Sequence, residues 1–152
     1  MTTVLITGCS SGYGLETARH FHARGWSGIA TMRSPEKETE LNQFDRVLVT
    51  RLDVQDGASI ASANQAGIAR FGRIDVLINN AGYGAYGPLE TTSEESIRRE
   101  FDVNVFGMLA TAKAIIPHFR QNRAGAIVNI SSIGGRLAFP LGALYHGSKF
   151  AV

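Results

Sequence analysis

A single cysteine, Cys9, stands in 152 residues, so no internal disulfide can form and a reducing compartment such as the cytosol is expected. No sign of charge dominates: Lys and Arg number 15 against 13 Asp and Glu. The resulting +2 is scattered along the chain, which argues against nucleic acid or an anionic membrane as a partner. Long hydrophobic runs are missing too. The apolar stretches are strand-sized, well short of the ~20 residues a membrane helix needs, and the N-terminus lacks the basic-then-apolar pattern of a signal peptide. Metal-like clusters are absent, since His20 and His22, two apart, point to different sides of any helix, while His118 and His146 stand alone. What remains is a chain with 44% hydrophobic and 18% charged residues, the composition and length of one ordinary globular domain spanning 1–152.

Glycine is what the chain has in quantity, 17 residues, and their places are informative. Val4-Leu5-Ile6-Thr7 reads as a short strand, and Gly8-Cys9-Ser10-Ser11-Gly12-Tyr13-Gly14 follows it directly. Leu15, Ala18 and Phe21 then recur at helical spacing up to Gly25, the expected C-cap. Small residues between a strand and a helix let the backbone approach a phosphate, and the helix N-terminus offers free N–H groups and a favourable dipole. The spacing is G-x-x-x-G-x-G rather than the general G-x-G-x-x-G fingerprint. No Lys-Ser/Thr pair follows the last loop glycine, which sets aside a P-loop nucleotidase.

Ser27 to Met32 reads as a second strand, and Arg33 follows at once; Ser34-Pro35-Glu36 has the form of an N-cap with proline at the first helical position. A guanidinium at this strand end, where an NAD site wants an acid, suits a ribose 2′-phosphate, so NADP is expected ahead of NAD. Val47 to Leu52 makes a third strand closed by Asp53-Val54, with Asp53 placed either to accept from an adenine amino group or to end the strand. Asp56 to Phe71 reads as a helix capped by Asp56 and stopped by Gly72, with Ile60, Ala63, Gly67 and Phe71 along one side. Gly67 inside that helix implies close packing on the sheet.

Ile74 to Ile78 has the continuous apolar character of a buried parallel strand and leads to Asn79-Asn80-Ala81-Gly82, two amides and two small residues suited to cofactor contact or to a polar turn. Thr92 and Glu95 fit a capping box that opens a long helix from Ser93 to about Phe119, with Phe101, Val105, Leu109, Ala112 and Ile116 as its inward stripe. Val103, Phe106, Ala110 and Ala114 form a second line for a partner subunit or the same sheet. Asn104 is the odd residue in this helix; an amide satisfied by nearby backbone explains it without any function. Gly125 to Ser131 gives a fifth strand, followed by a loop with Ser132. The chain closes on Tyr145-His146-Gly147-Ser148-Lys149, whose phenol and ammonium share a helical face. A neighbouring ammonium favours phenolate, so Tyr145 is expected to ionise below the ordinary value of ~10 and to act as a proton donor and acceptor. Alternating strands and helices make the fold class α/β, a right-handed, doubly wound parallel sheet of the Rossmann kind.

Taken in order, Thr7–Gly14, Asn79–Gly82, Asn104, Ser132 and Tyr145–Lys149 resemble the short-chain dehydrogenase/reductase family over essentially the whole chain. Ser132 lies thirteen residues before Tyr145, the family's usual interval. His146-Gly147 stands where the family more often has a small pair, read here as a tolerated variation. The resemblance implies hydride transfer between NAD(P) and a carbonyl or alcohol: Tyr145 exchanges the proton, Ser132 holds the same oxygen, Lys149 grips the nicotinamide ribose, and Asn104 anchors a water beside the lysine. Gly8, Ser10, Ser11, Gly12, Tyr13, Gly14, Arg33, Asp53, Val54, Asn80, Ala81 and Gly82, with Tyr145 and Lys149, are the cofactor-binding positions implied. The family continues with further strands and a substrate-covering segment after the position of Val152, so the chain is expected to be the N-terminal portion of a longer enzyme, a dimer or tetramer when complete. A cofactor-binding module without catalysis is the alternative.

Overall fold

In the computed structural model, which describes residues 1–152, strands and helices alternate along the chain. β1 (Thr3–Ile6), β2 (Ser27–Met32), β3 (Val47–Arg51), β4 (Val76–Asn79) and β5 (Ala126–Asn129) form one parallel sheet in the order β3-β2-β1-β4-β5. The chain starts in the middle, winds outward to β3, then crosses back to place β4 and β5 on the other side of β1. Leu5 therefore pairs with Ile29 of β2 on one side and with Leu77 of β4 on the other. The reversal leaves a crevice between the C-terminal ends of β1 and β4, the position where open α/β sheets take ligands.

Because side chains alternate across a strand, both faces of the central strands carry apolar residues. Leu5, Ile29 and Leu77 pack with Ile60 and Ala63 of α2 (Gly57–Phe71) and Ile115 of α4 (Met108–Asn122). Val4, Ile6, Ala30 and Ile78 pack with Ala18 of α1 (Gly12–Ala23). Asp56 caps α2 by accepting from the N–H groups of Ala58 and Ser59, and Gly72 ends it at φ +82°, a conformation that favours glycine. At Gly67 a Cβ would run into Ile29 Cδ1, so the missing side chain is what lets α2 lie close on the sheet.

Three local expectations are corrected. Ser34 and Pro35 do take the N-cap and first helical positions, but they open only a single 3₁₀ turn, Pro35–Lys37, and the cap makes no side-chain bond. The cap before Glu94 is Ser93, which accepts from Ser96 N–H, while Thr92 turns back to donate to the Pro88 carbonyl; the capping box is therefore not formed by Thr92 and Glu95. The long helix is α3 (Glu94–Phe101), a π-helical stretch (Asp102–Gly107) and then α4. Its inward line is Glu100, Asn104, Gly107, Thr111 and Ile115, one residue before the apolar line expected at every place but Gly107, which lies two before Leu109, and Leu109 and Ile116 are 52% and 39% exposed. The inward face rests on polar strand tips, where Thr111 Oγ1 donates to Asn79 Oδ1 (2.6 Å), so a search for the most apolar stripe selects the wrong side.

The last helix, α5 (Ala143–Ala151), is too short to persist alone and is held by packing, with Gly147 allowing Phe101 of α3 to approach. All four residues of β5 are exposed, which makes it an open sheet edge. No helix is long and apolar enough to cross a membrane.

Candidate active site

The crevice at the β1/β4 reversal is a cleft of ≈ 1310 Å³. Its floor is the loop after β1. Gly8 takes φ +75° and presses on Ala81, where a Cβ would lie 2.9 Å from Ala81 Cα. Gly12 takes φ +57° with open space beside it, so the backbone at the start of α1 is bare toward the cleft. Ser11 caps α1 without a side-chain hydrogen bond, and the first turn carries no acid, which leaves N–H groups and a positive dipole end for an anion. Ser10, Ser11 and Tyr13 line the same wall. Gly14 does not: it is buried beneath the loop, where a Cβ would strike Gly8 O and Asn80 Nδ2.

The loop is strutted from β4. Thr7 Oγ1 accepts from the N–H groups of Asn80 and Ala81, each at 3.0 Å, and Asn80 Nδ2 donates to the carbonyls of Thr7 (2.9 Å) and Gly8 (3.2 Å). Asn79 is turned away from the cleft, donating to Asn129 Oδ1 of β5 (2.9 Å). Of the two amides, one braces the sheet and the other the glycine loop. Ala81 and Gly82 line the cleft, Gly82 because a larger residue would meet Asn104 Oδ1 and approach Lys149 Nζ.

At the far end, Arg33 follows β2 and makes no ion pair, leaving its guanidinium free on the cleft wall. Asp53 and Val54 follow β3; Asp53 Oδ1 accepts from Gln55 N–H (3.0 Å), which fixes the carboxylate at the strand end. An anion cradle, a free cation and a carboxylate acceptor thus lie along one crevice.

Ser132, Tyr145 and Lys149 line the opposite end. Ser132 begins a 3₁₀ turn and accepts from Gly134 N–H (3.0 Å). Lys149 Nζ donates to the Ile130 carbonyl at the end of β5 (2.9 Å) and lies 5.9 Å from the centre of the Tyr145 ring. Burial pulls the lysine below its ordinary range, and the carboxylate of Glu100 acts in the opposite direction. Asn104 stays behind the wall: Oδ1 accepts from Tyr83 N–H (3.0 Å), and Nδ2 donates to Tyr83 O (2.8 Å) and Ser148 Oγ (3.0 Å). Both N–H donors of its amide and one lone pair of Oδ1 are thus used in tying the loop after β4 to α5, an arrangement that explains the residue without a function and leaves the second Oδ1 lone pair free.

Sequence reasoning missed the loop Tyr83–Tyr86, which shapes the wall next to Tyr145. Gly84 lies against the Tyr145 ring, and the Tyr86 and Tyr145 rings are 5.5 Å apart. Reading His146-Gly147 as tolerated variation also misses its role. His146 is buried, its Nδ1 at 3.0 Å from Gly134 O and its Nε2 accepting from Phe139 N–H (3.1 Å). That pairing makes Nδ1 the protonated nitrogen. The histidine fastens the loop after Ser132 to α5. No group of three or more His, Cys, Asp or Glu is placed to hold a metal ion.

Comparison with known proteins agrees with the fold. A family model described as short chain dehydrogenase matches residues 2–152. An uncharacterised oxidoreductase of Schizosaccharomyces pombe is 52% identical over 121 residues, 80% of this chain and 51% of that protein. Among solved structures, a short-chain dehydrogenase from Streptomyces avermitilis superposes with a TM-score of 0.91 at 39% identity, over 99% of this chain and 56% of that one. ElxO with NADP bound gives 0.92 at 33% identity, over 99% and 63%. The chain spans about half the length of the curated relatives it matches. With the family model matched over residues 2–152 and identity of this order to relatives in sequence and in structure, the chain belongs to the short-chain dehydrogenase family.

Proposed function

We propose that this chain is the cofactor-binding and proton-transfer part of an NADP-dependent oxidoreductase that interconverts a carbonyl and an alcohol. The observation that carries the reading is the sharing of one cleft by the glycine loop and Arg33 at one end and Ser132, Tyr145 and Lys149 at the other. The NADP bound to the structurally similar ElxO supports the choice of cofactor, as does the free guanidinium of Arg33. When bound, the nicotinamide supplies or accepts the hydride.

The residues of the chain do the rest. The bare N–H groups at the start of α1 hold the pyrophosphate, and Arg33 meets the 2′-phosphate with a planar fork of donors. Lys149 grips the nicotinamide ribose. Tyr145 gives its hydroxyl proton to the carbonyl oxygen during reduction and takes it back from the alcohol in the reverse direction. Ser132 donates a hydrogen bond to that oxygen, and the ammonium of Lys149 stabilises negative charge developing on the phenol oxygen. Asn104 contributes by fixing the loop and α5, with a water near Lys149 as its further role.

A Tyr145→Phe variant tests this reading. Turnover of NADPH with a panel of aldehydes, ketones and quinones is expected to fall below detection while NADPH affinity stays near normal. Retained turnover removes the proton-transfer role, and NADPH binding by the wild type without turnover of any carbonyl returns the non-catalytic module. The exposed apolar side chains Phe106, Leu109 and Ile116 support self-association as a dimer or tetramer, and the buried, unpaired Cys9 supports residence in a reducing compartment such as the cytosol. Sedimentation of the full-length protein as a monomer would count against the first.

A further inference from the structure

Glu100 is the one fully buried carboxylate, at 0% exposure, and it lies on the inward face of α3 one turn before Asn104. A carboxylate removed from water is costly unless something answers its charge and its lone pairs. Its Oε2 accepts from Ala85 N–H at 3.1 Å, and its Oε1 has no hydrogen-bond partner within the protein. The loop it holds is the one that packs on Tyr145 through Gly84 and Tyr86. Asn104 holds the same loop two residues earlier, at both the N–H and the carbonyl of Tyr83. Two side chains one turn apart thus fasten this wall of the cleft at Tyr83 and at Ala85.

The buried charge has a counterpart. α3 packs on α5, which carries Lys149; the lysine makes no ion pair with Glu100 but is the cation whose charge acts on it, and Tyr83 of the loop is a further ionisable group that feels the carboxylate. Burial raises the Glu100 carboxyl above its ordinary range while Lys149 opposes that rise, and the two effects are reversed on the lysine. Resting on the reading of Tyr145 and Lys149 given above, we propose that Glu100 is a positioning residue for that pair, fastening the loop against the Tyr145 ring and keeping Lys149 in its ammonium form.

The test combines Glu100→Gln, which keeps an oxygen for Ala85 N–H and removes the charge, with a direct titration of Lys149 by NMR of ¹³Cε-labelled lysine. Loss of the carboxylate disfavours the ammonium, so the Lys149 midpoint is expected at lower pH in the variant, with the basic limb of kcat/KM displaced in the same direction. Glu100→Ala also removes the acceptor and is expected to speed amide exchange at Ala85 beyond the rate in Glu100→Gln. A measurement that leaves Glu100 intact guards against a variant that fails to fold. In Lys149→Met the ¹³Cδ midpoint of Glu100 is expected to rise, because coupling between two sites is reciprocal. An unchanged Lys149 midpoint in Glu100→Gln, or an unchanged Glu100 midpoint in Lys149→Met, overturns the proposal, as does a pH–rate profile that superposes on the wild type. A wild type that binds NADPH but turns over no carbonyl counts instead against the reading of the Tyr145 site, and it leaves the two midpoints to judge Glu100.

Discussion

Cys9 sits in the glycine loop yet is sealed beneath it, its Sγ donating to the Ile6 carbonyl at 3.3 Å. Burial pushes the thiol up from 9.0 to about 12. A thiol that resists ionisation is a poor nucleophile, so a disulfide reagent at pH 8 is expected to label the native protein many-fold more slowly than the unfolded chain. The folded state also holds this proton more tightly than the unfolded one. The stability that this contributes is present below pH 9.0 and is lost as pH rises toward 12. A second residue, Arg33, is the one on which the proposed preference for NADP rests. Arg33→Asp is expected to reverse the ratio of NADPH to NADH affinity, the NADPH side losing at least tenfold, and a ratio unchanged in a binding titration would exonerate Arg33. The glycine loop, Ser132 and the Tyr145–Lys149 pair, which one cleft brings together, were legible in the sequence as candidates through their local spacing. Glu100 and Tyr83 were not, because each acts on a segment far along the chain, and nothing adjacent to Glu100 distinguishes a buried carboxylate from a solvated one.

Among the elements, α2 states its packing most plainly. A methyl group at Gly67 would run into the side chain of the fully buried Ile29, so Gly67→Ala is expected to lose about 1–3 kcal/mol to overpacking despite the better helix propensity of alanine, measured by chemical denaturation. A stabilised Gly67→Ala protein would mean that α2 stands off the sheet. This helix was readable because its buried side is apolar and its cap and stop are local. The helical run from Glu94 was readable in extent and not in orientation, since Glu100, Asn104, Gly107 and Thr111 face inward where hydrophobicity would place Phe101, Val105 and Leu109. Those inward residues meet strand tips, a loop and the Lys149 helix, and a polar surface selects polar partners. The π-helical stretch falls on Asn104 itself, the kind of irregularity that gathers at functional sites and leaves no periodic trace.

At the scale of the whole molecule, the winding order places the ends of β1 and β4 side by side and so decides where the cleft lies. Alternation of strands and helices predicted the class of fold, whereas the order of strands depends on contacts between segments that the sequence keeps apart. The β5 edge and the Leu109 and Ile116 side chains of α4 are exposed, and the chain spans about half the length of its curated relatives. The proposed activity depends on one arrangement, a dinucleotide lying across the strand ends with its nicotinamide beside Tyr145. A crystal structure of the protein with NADPH measures that arrangement directly. The 2′-phosphate is predicted to lie against Arg33 and the nicotinamide to lie within reach of the Tyr145 hydroxyl and Lys149; a nucleotide bound elsewhere, or a Tyr145 hydroxyl pointing away from the ring and from Ser132, would contradict it.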